Sequence, residues 1–479
     1  MRREKPTSLC PGPLNRRSFL QVGGATAGHL GLGSLLKARE LSTPKGESQK
    51  DTAVIFVWLP GGPPHMETYD MKPDAPSTHR GDFKPIRTNV PGIEVCELLP
   101  LHAKIADKFT LVRSVYHTFA DHGGGHKRFL TGRDPKEPTG FVNDYPCVGS
   151  MAFKAMEDKR DTRGMPGYIA LGNGRVNGID TFSFGSAYLG PETHPFRIAA
   201  DPSLTDFKVE NINIDKAVAD RIGDRTTLLE GFDRLRRDMD NSGTFDTIDT
   251  FNQRALSMMT SAQVREAFDL NKESQRTRER FTDHNWGTRA LLARRLVEAG
   301  ANWVSLVLEN PYDGKTGLPW LDNGTYNWDS HAVNCHIFDD ARARLPVYDR
   351  VITAMIEDLY ERGLDKKVLL VVTGEFGRTP KINVRQGSKT KVDQPGRDHW
   401  PRAMSMLLAG GGMRTGQVVG ATNSKGEEPI ERPLTPNDLW ATVYQHLGID
   451  HNLAFPDHFG RPMPILPYGE PIPELSQVT

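Results

Sequence analysis

Carboxylates and imidazoles gather in three short clusters: Asn327-Trp328-Asp329-Ser330-His331, Gly374-Glu375-Phe376-Gly377-Arg378 and Gly396-Arg397-Asp398-His399-Trp400. Asp329, His331, Glu375 and His399 form a donor set suited to one divalent ion; zinc fits, and calcium, magnesium and manganese stay open. Asp398 reads as a carboxylate that orients the next imidazole. Arg378 reads as a supporting partner of Glu375. Taken one at a time, the clusters have plainer readings: a capping Asp, a loop ion pair, a surface hydrogen bond. Two further stretches carry histidine. In Asp121-His122-Gly123-Gly124-Gly125-His126, the histidines share a face only if the segment is helical, and three glycines speak against that. The run reads instead as a loop with exposed N–H groups, an anion nest or a plain turn. His122 and His126 are the candidate catalytic groups, since imidazole titrates near neutral pH. His65, after Pro60-Gly61-Gly62-Pro63-Pro64, is a supporting candidate. Trp58, Trp328 and Trp400 flank the clusters, as an apolar wall or as core.

The elements that position these residues follow from hydrophobic period. Residues 53–59, 110–115, 168–171, 302–308, 368–373 and 404–409 are short apolar runs that predict strands. Leu345, Tyr348, Ile352, Met355 and Leu359 step by three and four along a helix ending at Gly363. Residues 288–300 predict a second helix. Thr435-Pro436 opens a third that stops at Gly448. Residues 205–285 are polar, with helical stretches over Ile214–Met239 and Phe251–Leu270, and read as an inserted helical region. Strand–helix alternation predicts an α/β fold with a mostly parallel central sheet flanked by helices. Glu375 follows directly on the strand at 368–373, where sites in such sheets form.

Bulk properties narrow the function. Sixty basic and 60 acidic residues give zero formal net charge, which argues against a nucleic-acid partner. Beyond Cys10 the chain has Cys96, Cys147 and Cys335, with no CxxC; a disulfide framework is not expected, and one bridge at most is open. Asn15-Arg16-Arg17-Ser18-Phe19-Leu20, followed by a weakly apolar stretch rich in Gly and Ala, resembles a twin-arginine export signal. That stretch is too short and glycine-broken for a transmembrane anchor. The expectation is export to the periplasm or beyond. The expected organisation is a signal and linker over 1–50, one domain over 51–465 and a tail over 466–479.

The chain also resembles the bacterial domain-of-unknown-function family 1501, whose members carry twin-arginine leaders and fall in the alkaline-phosphatase/sulfatase superfamily. The stretches that carry the resemblance are LPGGPPHMETYDMKPDAP, VRSVYHT, ALLARRLVEAG, NWDSH, VVTGEFGRTPKIN, GRDHWP and AGGGM…GQVVGATN. The resemblance implies an alkaline-phosphatase-like fold and a metal-centred site acting on phosphate or sulfate esters. It also implies departures. Counting back from Leu130-Thr131-Gly132-Arg133 puts His122 where a sulfatase has its nucleophilic cysteine, and His126 at its arginine. The Asp pair expected after the first strand is replaced by Pro60-Gly61-Gly62. Two readings follow: a metal-dependent hydrolase of small anionic esters with a rebuilt site, or an inactive relative that binds an anionic glycan. A third is a partner-binding surface protein.

Overall fold

The computed structural model describes residues 52–476 apart from 141, 158–163, 173–182, 205–206, 208, 210–260 and 313–316. Residues from Lys50 onward form one compact unit. Eight strands make the central sheet: β1 (Ala53–Trp58), β2 (Phe109–Val115), β3 (Tyr168–Leu171), β4 (Phe196–Ile198), β5 (Trp303–Val307), β6 (Val368–Thr373), β7 (Met404–Gly410) and β8 (Gln417–Val419). Their order is β8-β2-β7-β6-β1-β5-β3-β4. Every neighbouring pair is parallel except those made by β7, which runs antiparallel to β2 and β6. The expected α/β class with a mostly parallel sheet is what the chain adopts.

Five helices frame the sheet and matter for the site: α1 (His122–Thr131), α2 (Val148–Ala155), α3 (Asn285–Glu298), α4 (Ile337–Glu361) and α5 (Pro436–His446). Strand residues alternate between faces, and β1 divides accordingly. Ala53, Ile55 and Val57 share one core with Leu292, Leu296, Leu345 and Ile352 of α3 and α4. Val54, Phe56 and Trp58 share the other with Phe129, Met151 and Trp440 of α1, α2 and α5. Covering both faces explains why β1 and β6 read as unbroken apolar runs rather than alternating ones. The predicted cap at Thr435 is a capping box with Asp438. The three cysteines of the unit are buried and free, so no bridge forms.

Within the insertion, Ala262–Phe268 and Gln275–Phe281 are helical; the stretch Ile214–Met239 and the leader lie outside the described residues. The C-terminal segment, expected as a tail, packs onto the unit. Leu466, Ile472 and Leu475 are buried, and Arg414 N–H donates to the Leu475 carbonyl at 3.0 Å. In the sheet, Trp58 at the end of β1 sits beside Thr373 at the end of β6 and Val307 at the end of β5. The loops after these three strands therefore leave from one edge.

Candidate functional site

The loop after β1 turns through Gly61 (φ +107°) and Gly62 (φ +82°), a region glycine tolerates and other residues avoid. A Cβ on Gly61 would lie 2.5 Å from the Asp329 nitrogen, so only glycine lets this loop press against the Asp329 segment. Gly61 N–H donates to both oxygens of Glu375, at 2.8 and 3.0 Å. Where the resemblance implies an Asp pair, the chain thus supplies a backbone donor. Arg378, fully buried, fastens the other side: it donates to Gly62 O at 3.0 Å, to Gly61 O, and to Asp329 Oδ1 at 2.6 Å. Its predicted partner was Glu375; the guanidinium instead serves Asp329.

The expectation for residues 121–126 is overturned. Asp121 caps α1 through the Gly123 N–H at 2.9 Å, and His122 and His126 stand one turn apart on a regular helix. The Gly123 N–H is taken by the cap and the run is helical, so the loop-like anion nest is not formed. Close packing overrides glycine's poor helix propensity, as tertiary context commonly does. A Cβ on Gly125 would meet the Phe376 ring at 2.9 Å and Glu375 Cγ at 3.4 Å; one on Gly123 would meet the Gly140 carbonyl at 2.5 Å. The glycines let the helix backbone lie against the Glu375 loop. That approach brings His122 Nδ1 to 2.9 Å and His126 Nε2 to 3.3 Å from Glu375 Oε1.

His122 faces Glu375 with one nitrogen and Asp329 with the other, its Nε2 lying 3.4 Å from Asp329 Oδ2. Burial alone would push its pKa down. Hydrogen bonds to Asp329 and Glu375, with their charges, outweigh burial and raise it to about 9. His122 is therefore an imidazolium at neutral pH. Burial works to raise the carboxyl of Asp329, but Arg378 and the surrounding imidazoles hold it well below the usual carboxylate range. Against the same penalty, His126 and His122 do likewise for Glu375.

Asp329, His331 and His399 meet directly. His331 Nε2 and His399 Nε2 are 2.9 Å apart, and each lies 3.0 Å from Asp329 Oδ1. Their far nitrogens fix what these atoms present. His399 Nδ1 is 2.6 Å from the Ala120 carbonyl, which can only accept, so Nδ1 carries the proton. Burial, opposed by Asp329 but aided by Arg378 and His122, lowers the His399 pKa, so the ring is neutral and its Nε2 offers a lone pair. His331 Nδ1 is 2.6 Å from Asp398 Oδ1. Asp398 thus orients His331, not its neighbour His399 as the sequence suggested: successive residues entering a strand point to opposite faces, and His399 opens the short strand His399–Trp400. Asn383 and the Thr379 hydroxyl hold Asp398 in turn.

The structure thus makes two adjoining groups that share His122. One is His122, Asp329 and His399, beside His331; the other is His122, His126 and Glu375. Within each trio, ligand atoms lie within 4.8 Å of one another. Glu375 joins Asp329 through His122. His65 stands apart: it is buried, bonded to the Gly426 carbonyl at 3.0 Å, and burial lowers its pKa to about 4. Trp58 and Trp328 are core residues, with Trp58 edge-on to His126. Sequence reasoning missed His117, whose Nε2 donates to the Glu375 carbonyl at 2.6 Å, and Asn334, which donates to Asp329 Oδ2 at 3.0 Å. Both lie within five residues of a recognised cluster, the one signal that pointed to them.

Distant likenesses to solved structures run over most of the chain. The lipoteichoic acid synthase LtaP of Listeria monocytogenes shares 8% identity over 84% of this chain and 73% of its own, with a TM-score of 0.37. The C-terminal periplasmic domain of EcEptC from Escherichia coli, in complex with Zn, shares 11% over 84% and 83%, at 0.33. The sulfatase PsFucS1 of Pseudoalteromonas sp. shares 12% over 87% and 70%, at 0.31. No curated protein matches the chain. The family model that matches residues 51–475 is that of the proteins of unknown function DUF1501, and the chain belongs to this family.

Proposed function

We propose that the protein is an exported, metal-dependent hydrolase of phosphate or sulfate esters. The observation that carries this reading is the meeting of His331 Nε2, His399 Nε2 and Asp329 Oδ1 within 3.0 Å of one another. With the Nδ1 atoms committed to Asp398 and the Ala120 carbonyl, both rings turn their Nε2 atoms toward an anionic oxygen. Such a convergence of donor atoms suits a metal ion. Two imidazoles and a carboxylate, with a carboxylate behind one ring, fit a divalent ion such as zinc. Calcium, magnesium and manganese take more oxygen than this set offers. When bound, such an ion supplies Lewis acidity toward an ester oxygen and lowers the pKa of water.

The chain's own residues set the rest. Arg378 fixes the Asp329 carboxylate against the β1 loop. Glu375, anchored by Gly61, holds the His122 imidazolium, which is placed to give its Nε2 proton to a leaving alkoxide. With both nitrogens facing carboxylates, His122 is an acid rather than a nucleophile, so water attacks directly. The alternative, an inactive relative binding an anionic glycan, is favoured by one observation: Arg378 already neutralises Asp329 at 2.6 Å. Elemental analysis of the purified exported protein decides between them. Near-stoichiometric metal, lost in His331→Ala/Glu375→Ala at intact fold, is expected. A folded natural protein without metal, inert toward phosphate and sulfate esters, sinks the hydrolase reading.

A further inference from the structure

Beside the site stands a two-stranded ribbon, Asn383–Gln386 paired with Asp393–Gly396. Its base belongs to the site. Asn383 donates to Asp398, and Gln394 Nε2 donates to the Ala332 carbonyl at 2.8 Å. Its turn leans on Val333, whose carbonyl accepts the Ser388 N–H at 2.9 Å. Lys389 Nζ lies 4.8 Å from the centre of the Trp320 ring. Around this turn the surface is unusually apolar: Trp320 is 63% exposed, Val392 59% and Val333 44%. Val384, on the ribbon's other face, is exposed as well. The same surface is basic. Lys381, Arg385, Lys389 and Lys391 are exposed, against Asp322 and Asp393. Asp322 is engaged by the Trp320 indole N–H at 3.0 Å.

A merely solvated ribbon has no use for exposed indole and valines together. A saccharide is met by aromatic rings and amides; β-branched aliphatics offer it nothing to hydrogen-bond. An anionic lipid interface takes every group present: the indole at headgroup level, the valines toward the acyl boundary, the ammonium groups on phosphates. We propose that this ribbon and Trp320 dock the protein peripherally on an anionic lipid surface. No helix of the described residues is long and apolar enough to cross a membrane. Docking brings the Asp329–His331–His399 cluster to the headgroup layer. Resting on the hydrolase reading, this names lipid-borne phosphate esters as the substrate class.

The test is co-sedimentation of the purified full-length protein with phosphatidylglycerol/phosphatidylcholine vesicles and with phosphatidylcholine alone. Binding is expected to the anionic vesicles and to fade with salt. Lys389→Gln/Lys391→Gln should weaken it roughly twenty-five-fold, at about fivefold per cation near such a surface. Trp320→Ser/Val392→Ser should weaken it too, while both variants keep native circular dichroism and metal content. Absence of vesicle binding, or binding that neither variant changes, overturns the proposal. Capture of dextran sulfate by a protein that ignores vesicles also overturns it, in favour of a soluble polyanion. Vesicle binding by a protein without metal or hydrolysis would instead sink the hydrolase reading and leave the docking surface standing.

Discussion

Asp398 is half-exposed and touches no reacting group, yet it decides which nitrogen His331 turns inward. Replacing it by Asn leaves a side chain that can present either a donor or an acceptor to Nδ1. Asp398→Asn is therefore expected to weaken metal binding by about 10- to 100-fold, as loss of such orienting carboxylates does. Competition with a chromophoric chelator measures this; unchanged affinity would show that Asp398 does not set which nitrogen His331 turns inward. His122 makes a second claim at this scale. Its folded pKa of about 9 lies above the ordinary 6.5. Protonated His122 therefore stabilises the fold fully below pH 6.5, and that contribution fades as the pH climbs through 9. The urea midpoint of chelator-treated protein should fall over this window more steeply than that of His122→Gln. Parallel slopes would mean the imidazolium is not held as described.

At the scale of elements, α1 is where sequence and structure part. Its three glycines lower helix propensity by about 1 kcal/mol each relative to alanine, and on that ground a loop is the natural reading. The helix forms because bare backbone at Gly125 fits against Phe376, a contact between residues far apart in sequence. Gly125→Ala tests this. Propensity alone predicts a gain, but the added Cβ, 2.9 Å from the ring, forces the helix away. A net loss of about 1–3 kcal/mol is expected in urea unfolding, as for other overpacked sites, with weaker His126–Glu375 pairing; a gain would refute the packing argument. α4 was legible because it is long and strongly periodic, and β1 and β6 because each is an unbroken apolar run. The clusters at 327–331, 374–378 and 396–400 were legible as chemistry. Which carboxylate serves which ring was not. Arg378 on Asp329 and Asp398 on His331 are set by the β1 loop and by strand alternation, neither of which leaves a local mark.

At the scale of the whole molecule, the site is a property of the sheet edge. β1, β5 and β6 end side by side, and their three loops deliver Gly61, Asp329 and Glu375 to one place. The helices behind them fill both faces of the sheet, so the loops are free to be polar. The ribbon of residues 383–396 extends this polar edge into a surface that is partly apolar and basic.

The strand order carries a kinetic consequence. Among the described strands β1 is synthesised first, yet Phe56 pairs with Ser305 and Val371, and the sheet neighbours of β2 are β7 and β8. The half of the sheet made by β1, β5, β3 and β4 waits for β5 at Trp303–Val307, and the half containing β2 waits for β7 and β8. Long loops must be closed before these pairings repay their entropy, which makes such topologies slow to fold and sticky while open. A chain built this way has its apolar strands uncovered through most of translation.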